Sequence, residues 1–251
     1  MLSTTKVTFL ALASFFALTA NAWARDVDPD SKAENYAKAW LRLDADRVGV
    51  QGAVGTTVPL GGLELAGNVV VSQPYPGVVD PLQNKKFSQP IGNDYRAPEV
   101  RLELGPALSS GGFFFLPKLA LGYDFERKKV APFVPELMTV IQGGPLYVES
   151  WVEFFFYSPF DVGAQNSFYT RDLLLVALSN HIALGPQVEL TVAIKNSPGK
   201  ALRALPIGAA ANWSPADVFT LGLFVGVETQ ASARNAQHDF LSGRLTASVL
   251  F

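Results

Sequence analysis

Beyond about residue 35, hydrophobic and polar residues alternate with a period of two along most of the chain, and the last segment shows this most clearly. In residues 239–251 one face carries Leu241, Gly243, Leu245, Ala247, Val249 and Phe251, and the other carries Ser242, Arg244, Thr246 and Ser248. Successive side chains of a strand point to opposite faces, so this segment is a strand with one apolar and one polar side. The alternation recurs upstream. Leu63, Leu65, Gly67, Val69 and Val71 oppose Glu64, Asn68 and Ser72, while Val100, Leu102 and Leu104 oppose Arg101 and Glu103. Val188, Leu190, Val192 and Ile194 oppose Glu189, Thr191 and Lys195. The pattern predicts about twelve strands, near 36–45, 47–57, 63–73, 98–105, 113–126, 130–142, 146–157, 170–183, 187–196, 201–213, 218–229 and 239–251. An apolar face on one side and a charged face on the other fits a barrel wall between lipid and a wet lumen.

The connections add a rhythm. Tight Gly/Pro turns are expected at Pro59–Gly62, Gly143–Pro145, Leu184–Pro186 and Ser214–Asp217. The alternate connections, 73–97, 126–129, 158–169, 196–200 and 230–238, are generally longer. Short turns at one end and longer loops at the other match the periplasmic and extracellular ends of an outer-membrane barrel, with both termini on the periplasmic side. Four prolines, Pro117, Pro132, Pro135 and Pro206, fall inside expected strands, where each removes a ladder hydrogen bond. Bulges near strands five and six would accommodate them. Residues 173–178 are apolar on both faces, so alternation leaves the orientation of strand eight open.

Composition narrows the class further. The 251 residues are 49% hydrophobic and 17% charged, with no cysteine, two histidines and a net charge of -2. Disulfide scaffolds and Cys-based zinc sites are excluded, no metal or cofactor is expected, and the charge argues against nucleic acid as a partner. Past the N-terminus no apolar run reaches the roughly 18 residues of a membrane helix. Residues 1–24 read as a cleaved signal peptide: Lys6 lies in the positive region, Val7–Ala20 form the apolar stretch, and Ala22-Trp23-Ala24 fits a cleavage site. Residues 25–35 then form a short periplasmic segment, and residues 36–251 the barrel.

The chain resembles Gram-negative outer-membrane β-barrel proteins over the signal peptide and essentially all of the mature sequence. The most specific element is terminal Phe251 after an alternating strand, which resembles the C-terminal signal that these proteins present to the outer-membrane assembly machinery. The resemblance implies an all-β antiparallel transmembrane barrel in the bacterial outer membrane, in contact with outer-membrane lipid and lipopolysaccharide. It reaches the class and no family within it, and the class holds pores, enzymes, adhesins and structural proteins.

Alternation places Arg42, Glu64, Arg101, Glu103, Lys118, Glu136, Glu149, Glu153, Glu189 and Arg244 on the inward face, as candidate pore-lining groups. Facing lipid at mid-depth, an Arg or Lys would cost ~2–4 kcal/mol. Twelve strands spaced ~4.8 Å and tilted ~40° give a backbone radius of roughly 12 Å, and side chains of about 6 Å leave a nominal bore of about 12 Å. Glu136, Glu149, Glu153 and Glu189 opposite Arg42 and Arg244 suggest an acidic wall facing a basic one, with a transverse field that would orient dipolar solutes. The first expectation is a passive, porin-like diffusion channel for small solutes. The same residues could instead pair into a salt-bridge plug, with Phe155, Trp151 and Tyr157 adding bulk. A filled barrel acting through its outer loops is therefore the second expectation.

Lys85, Lys86, Arg96, Arg127, Lys128, Lys129, Lys200 and Arg234 make the outer loops basic, which suits lipopolysaccharide phosphates as well as ordinary solvation. A lipid-modifying enzyme is the third reading. It rests on Ser179 and His181, which share a strand face but lack the surrounding motifs of outer-membrane phospholipases.

Overall fold

The computed structural model describes residues 38–46, 49–60, 63–74, 79–80, 85–86, 98–125, 128–157, 159, 166–194, 202–216, 218–230 and 241–250. The expected signal peptide, the segment 25–35, Phe251 and most of the 73–97 loop lie outside them. Twelve long strands follow one another: β1 (Lys38–Asp46), β2 (Gly49–Leu60), β3 (Leu63–Pro74), β4 (Glu99–Ser110), β5 (Phe113–Asp124) and β6 (Lys129–Gly143). The series continues with β7 (Leu146–Phe155), β8 (Asn166–Ala177), β9 (Ile182–Ile194), β10 (Pro206–Ala216), β11 (Phe219–Glu228) and β12 (Leu241–Leu250). Each pairs antiparallel with its sequence neighbours, and β1 also pairs with β12, from Trp40 opposite Leu250 to Asp46 opposite Arg244. The sheet therefore closes on itself. Closure leaves none of these twelve strands as an unpaired edge, which is the condition for a sheet to stand in lipid.

Burial is inverted relative to a water-soluble protein. On β4 and β5 the outward Leu102, Leu104 and Leu119 are 64%, 56% and 59% exposed, whereas inward Arg101, Glu103 and Lys118 are 4%, 3% and 5% exposed. An exterior of leucine and valine around an interior of buried charge fits a lipid-facing wall, since water would favour the opposite arrangement. Aromatic residues stand outward near both ends: Phe113 and Trp213 at the turn end, and Tyr123, Phe125 and Phe154 at the loop end. Tyr123 packs edge-on against Phe125 at 5.2 Å, and Phe154 meets Phe168 at 4.9 Å.

The strand that alternation left unoriented is resolved by its partners. Leu173 and Leu175 of β8 turn inward and pack with Ala210, Tyr147 and Ala183, while Leu174, Val176 and Leu178 face out. Strand β8 also sits earlier than expected, and its hairpin turn is not Leu184–Pro186. The chain reverses at residues 178–181, where Leu178 N–H donates to the Ile182 carbonyl at 2.9 Å. Gly185 and Pro186 lie inside β9. Pro186 pairs with Ala209 of β10, but on the β8 side the ladder passes from Leu173–Gln187 to Val176–Leu184 without pairing either residue. Proline has no N–H to offer there, and a Cβ on Gly185 would stand 1.8 Å from the Leu174 carbonyl oxygen. The Gly-Pro pair thus marks a close backbone approach within the wall.

Strand β4 likewise runs to Ser110, beyond its expected end near 105, and turns at Gly111 and Gly112. Gly111 has φ 56°, a left-handed value that glycine adopts without a steric penalty. Pro106 explains the early expected end. The β4–β5 ladder skips from Leu104–Leu119 to Leu108–Phe115, which omits the register position where Pro106 would face Pro117. The expected bulge on strand six is present: the register shifts between Leu121 and Tyr123, where Ala131 and Pro132 fall between paired Val130 and Phe133. Pro206 is the first residue of β10, after a short piece, Leu202–Ala204, that pairs separately with β9.

Candidate functional site: the barrel lumen

Along β7 the inward side chains are, from turn end to loop end, Tyr147, Glu149, Trp151, Glu153 and Phe155, with Tyr157 just beyond. They serve as a depth scale for the lumen. At the level of Glu153, Lys118 Nζ lies 2.6 Å from Glu103 Oε2 and 2.6 Å from Glu136 Oε1. Asn68 Nδ2 donates to the same Glu103 carboxylate at 3.0 Å. Arg101 Nη1 donates to Glu153 at 3.0 Å, and its Nε lies 3.5 Å from Glu99 and 3.8 Å from Glu103.

A second group occupies the opposite side. Arg244 Nε and Nη2 donate to the two oxygens of Glu189 at 3.1 and 2.9 Å, and Nη2 also reaches Tyr169 Oη at 3.3 Å. Gln187 Nε2 donates to Glu189 at 2.8 Å. Arg171 Nη2 and the Tyr147 hydroxyl donate to the two oxygens of Glu149 at 2.6 and 2.7 Å. Arg42 Nε donates to Asp44 at 2.7 Å, and Thr246 Oγ1 donates to the other oxygen of that carboxylate at 2.5 Å.

Trp151 joins the two groups. The Arg42 and Arg171 guanidinium carbons lie 4.7 and 4.9 Å from its ring centre, and Lys118 Nζ lies 5.8 Å away. These separations are within the range where a cation is held by an aromatic face. In strand order β1 and β7 are six apart in a ring of twelve, so the Arg42–Trp151 contact crosses the lumen. Arg101–Glu153 joins β4 to β7, and Arg244–Glu189 joins β9 to β12, each three strands apart. With Arg244–Tyr169 between β12 and β8 and Lys118–Trp151 between β5 and β7, these contacts bridge non-adjacent strands around mid-depth. Toward the loop end, Phe155, Tyr157 and Tyr169 pack with Ala120 and Val134, all at most 3% exposed.

These observations place the sequence candidates. Arg101, Glu103, Lys118, Glu136, Glu149, Glu153, Glu189 and Arg244 are buried on the inward face, and half-buried Arg42 joins them. Glu64 stands apart near the turn end, opposite Ala107. The facing acidic and basic walls are corrected to matched pairs, because an Arg side chain is long enough to reach the carboxylate across the lumen. At mid-depth the same reach narrows the nominal 12 Å bore. Arg171, Asp44, Tyr147 and Tyr169 belong to the layer and were not among the candidates. Asp44 shares the parity of Arg42, which was a usable signal, whereas Arg171 lies beside the doubly apolar stretch that hid its parity.

Ser179 and His181 sit at the β8–β9 turn. The Ser179 hydroxyl accepts from the backbone N–H of His181 and of Ile182, at 3.2 and 3.1 Å. His181 Nδ1 contacts the Ser214 carbonyl at 2.9 Å, binding this turn to the end of β10. These contacts close turns. His238 lies outside the described residues.

Below the layer, toward the turn end, a cavity of about 760 Å³ remains. Its floor includes Arg42, Lys118, Arg171, Arg244 and Trp151, and its mouth reaches the turn residues Gly144 and Asn180. One wall is apolar, from Phe114, Leu116, Met138, Leu173 and Leu175.

No family model matches the chain, and no curated protein matches it. Solved structures do. A KdgM porin is 10% identical, with 85% of this chain and 98% of that chain covered at a TM-score of 0.44. A NanC porin is 7% identical, with 86% and 99% covered at 0.49. A structure from a study of in-meso crystallization of membrane proteins is 9% identical, with 86% and 83% covered at 0.53. At these identities the likeness concerns the fold alone, and the closed twelve-strand barrel is read from this chain's own strand pairing.

Proposed function

We propose that the protein is an outer-membrane channel for small solutes, narrow and selective, whose conductance is set by the mid-depth layer around Trp151. The supporting observation is the cavity of about 760 Å³ that begins at the turn end and stops on that layer. A barrel that served only as a scaffold would have no need to keep this volume inside a wall already closed by hydrogen bonds. Ion pairs crossing a low-dielectric lumen favour solutes that can exchange hydrogen bonds with them in passing.

The cross-lumen contacts also favour a second reading, a filled barrel that acts through its outer loops. Reconstitution into planar bilayers separates the two. The channel reading expects small discrete steps from the native protein and steps several-fold larger from Trp151→Ala, which removes the group linking the two sides of the layer. Ion selectivity should shift with Glu149→Gln. Barrels shown to be folded by heat-modifiable gel mobility, yet silent in native and Trp151→Ala forms alike, would overturn it. The same outcome would direct attention to the loops and to lipopolysaccharide, the partner their basic residues suit.

A further inference from the structure

We infer that the turn-side cavity is a binding site for small organic anions that carry an apolar body, such as aromatic carboxylates. Volume is the first support: about 760 Å³ lies within the ~300–1,000 Å³ of ordinary ligand pockets. Charge is the second, and it is asymmetric. Among the described residues, four cationic side chains, Arg42, Lys118, Arg171 and Arg244, line the cavity, against the carboxylate of Glu149. Three of those cations are paired with acids that do not line it: Asp44 for Arg42, Glu103 and Glu136 for Lys118, and Glu189 for Arg244. The layer therefore turns its positive side to the cavity and keeps most of its carboxylates behind. Glu149 is itself covered by two donors, Tyr147 Oη and Arg171 Nη2. A recess with low-dielectric walls concentrates such a field and raises the local concentration of anions.

Hydrogen-bonding capacity points the same way. Arg171 and Trp151 occupy directly opposed register positions on β8 and β7, and both line the cavity. Arg171 Nε and Trp151 Nε1 are buried donors with no acceptor among the described residues. Buried donors without acceptors are uncommon in folded proteins, and here an anion that draws these two toward it adds bonds without breaking any at those atoms. The apolar wall of Leu116, Met138, Leu173 and Leu175 then specifies the rest of the ligand. A hydrated inorganic anion would leave that surface uncovered, whereas a ring or short chain beside the charged group covers it. The site stands on the cavity alone, so a sealed barrel would possess it as fully as a conducting one.

The test uses three ligands of one shape and different charge: phenylacetate, phenylacetamide and 2-phenylethylamine. Each is titrated calorimetrically into refolded barrel in non-ionic detergent, with protein-free micelles as the blank. Saturable binding of phenylacetate is expected, at least tenfold tighter than either analogue, and weakened at least fivefold by Arg42→Gln. Equal or tighter binding of the amine, or saturable binding of none of the three, would overturn the inference. The charge series on the native protein decides the matter even if Arg42→Gln fails to fold. Bilayer conductance is read separately, so failure of the channel reading and failure of this site are distinguishable.

Discussion

The two halves of the lumen are built from the same twelve strands, yet one is packed and the other is hollow. From mid-depth toward the loops, inward positions carry long charged or aromatic side chains that touch across the barrel, as Arg101 does Glu153 and Arg42 does Trp151. Toward the turns, inward positions are shorter or apolar, such as Ala107, Leu175 and Ala210, and a cavity of about 760 Å³ is left. Backbone geometry does not distinguish the halves, because a closed barrel has nearly the same girth throughout. Side-chain reach does. An arginine can cross to a partner wall and bring a charge that only a carboxylate can match, whereas a leucine stops near its own wall and leaves space.

The packed half should be the fragile one when a single partner is removed. Arg101 stands among Glu153, Glu99 and Glu103 in a buried environment. Replacing it by leucine leaves those carboxylates without their shared cation, and breaking a buried pair in this way costs about 3–5 kcal/mol. Urea unfolding in detergent micelles, followed by heat-modifiable mobility, should show that loss for Arg101→Leu. A change below about 1 kcal/mol would mean that water screens this half as an open pore would, and the contrast between the halves would fail.

Much of this arrangement was legible in the alternation and some was not, for reasons that can be located. Strand parity placed Arg101, Glu103, Lys118 and Glu189 inside, because facing lipid would have been costly for each. Parity says which side of the wall a residue occupies but nothing of how far its side chain reaches, so the bore looked open and the acidic and basic walls looked separate. Arg171 escaped because residues 173–178 are apolar on both faces, and the register of Arg171 against Trp151 supplies the missing orientation. Turn chemistry misled most at Gly185-Pro186. That pair satisfies a hairpin turn equally well, and its place in the ladder depends on how closely β8 approaches.

A smaller effect is expected when both members of a cross-lumen pair are replaced together. Arg244→Met alone leaves Glu189 buried without its main partner, whereas Arg244→Met with Glu189→Leu replaces the pair by apolar groups of comparable size. Exchanges of that kind are often neutral or stabilising. The double variant should therefore unfold within about 1–2 kcal/mol of the native protein, and the single variants well below it, in a double-mutant cycle. If the double variant is as unstable as the worse single one, the pair does more than neutralise its own charges. The three-sided bonding of Glu189 with Arg244 and Gln187 would then have to be treated as one unit.

The smallest effect belongs to the hollow half. Leu175 is 1% exposed and packs beside Tyr147, Ala183 and Ala210 on the wall of the cavity. In a filled core, truncating such a leucine to alanine costs about 2–5 kcal/mol, because the surroundings cannot collapse into the space. Here the truncated side chain borders a space that already exists, so the cavity grows without a new one being made. Leu175→Ala should then fall at or below the lower end of that range in the same urea assay. The apolar wall, however, is part of the proposed anion site, so the same variant should weaken phenylacetate more than its stability loss would suggest. A full core-like penalty with unchanged ligand affinity would place Leu175 in the packed layer and move the boundary between the halves toward the turns.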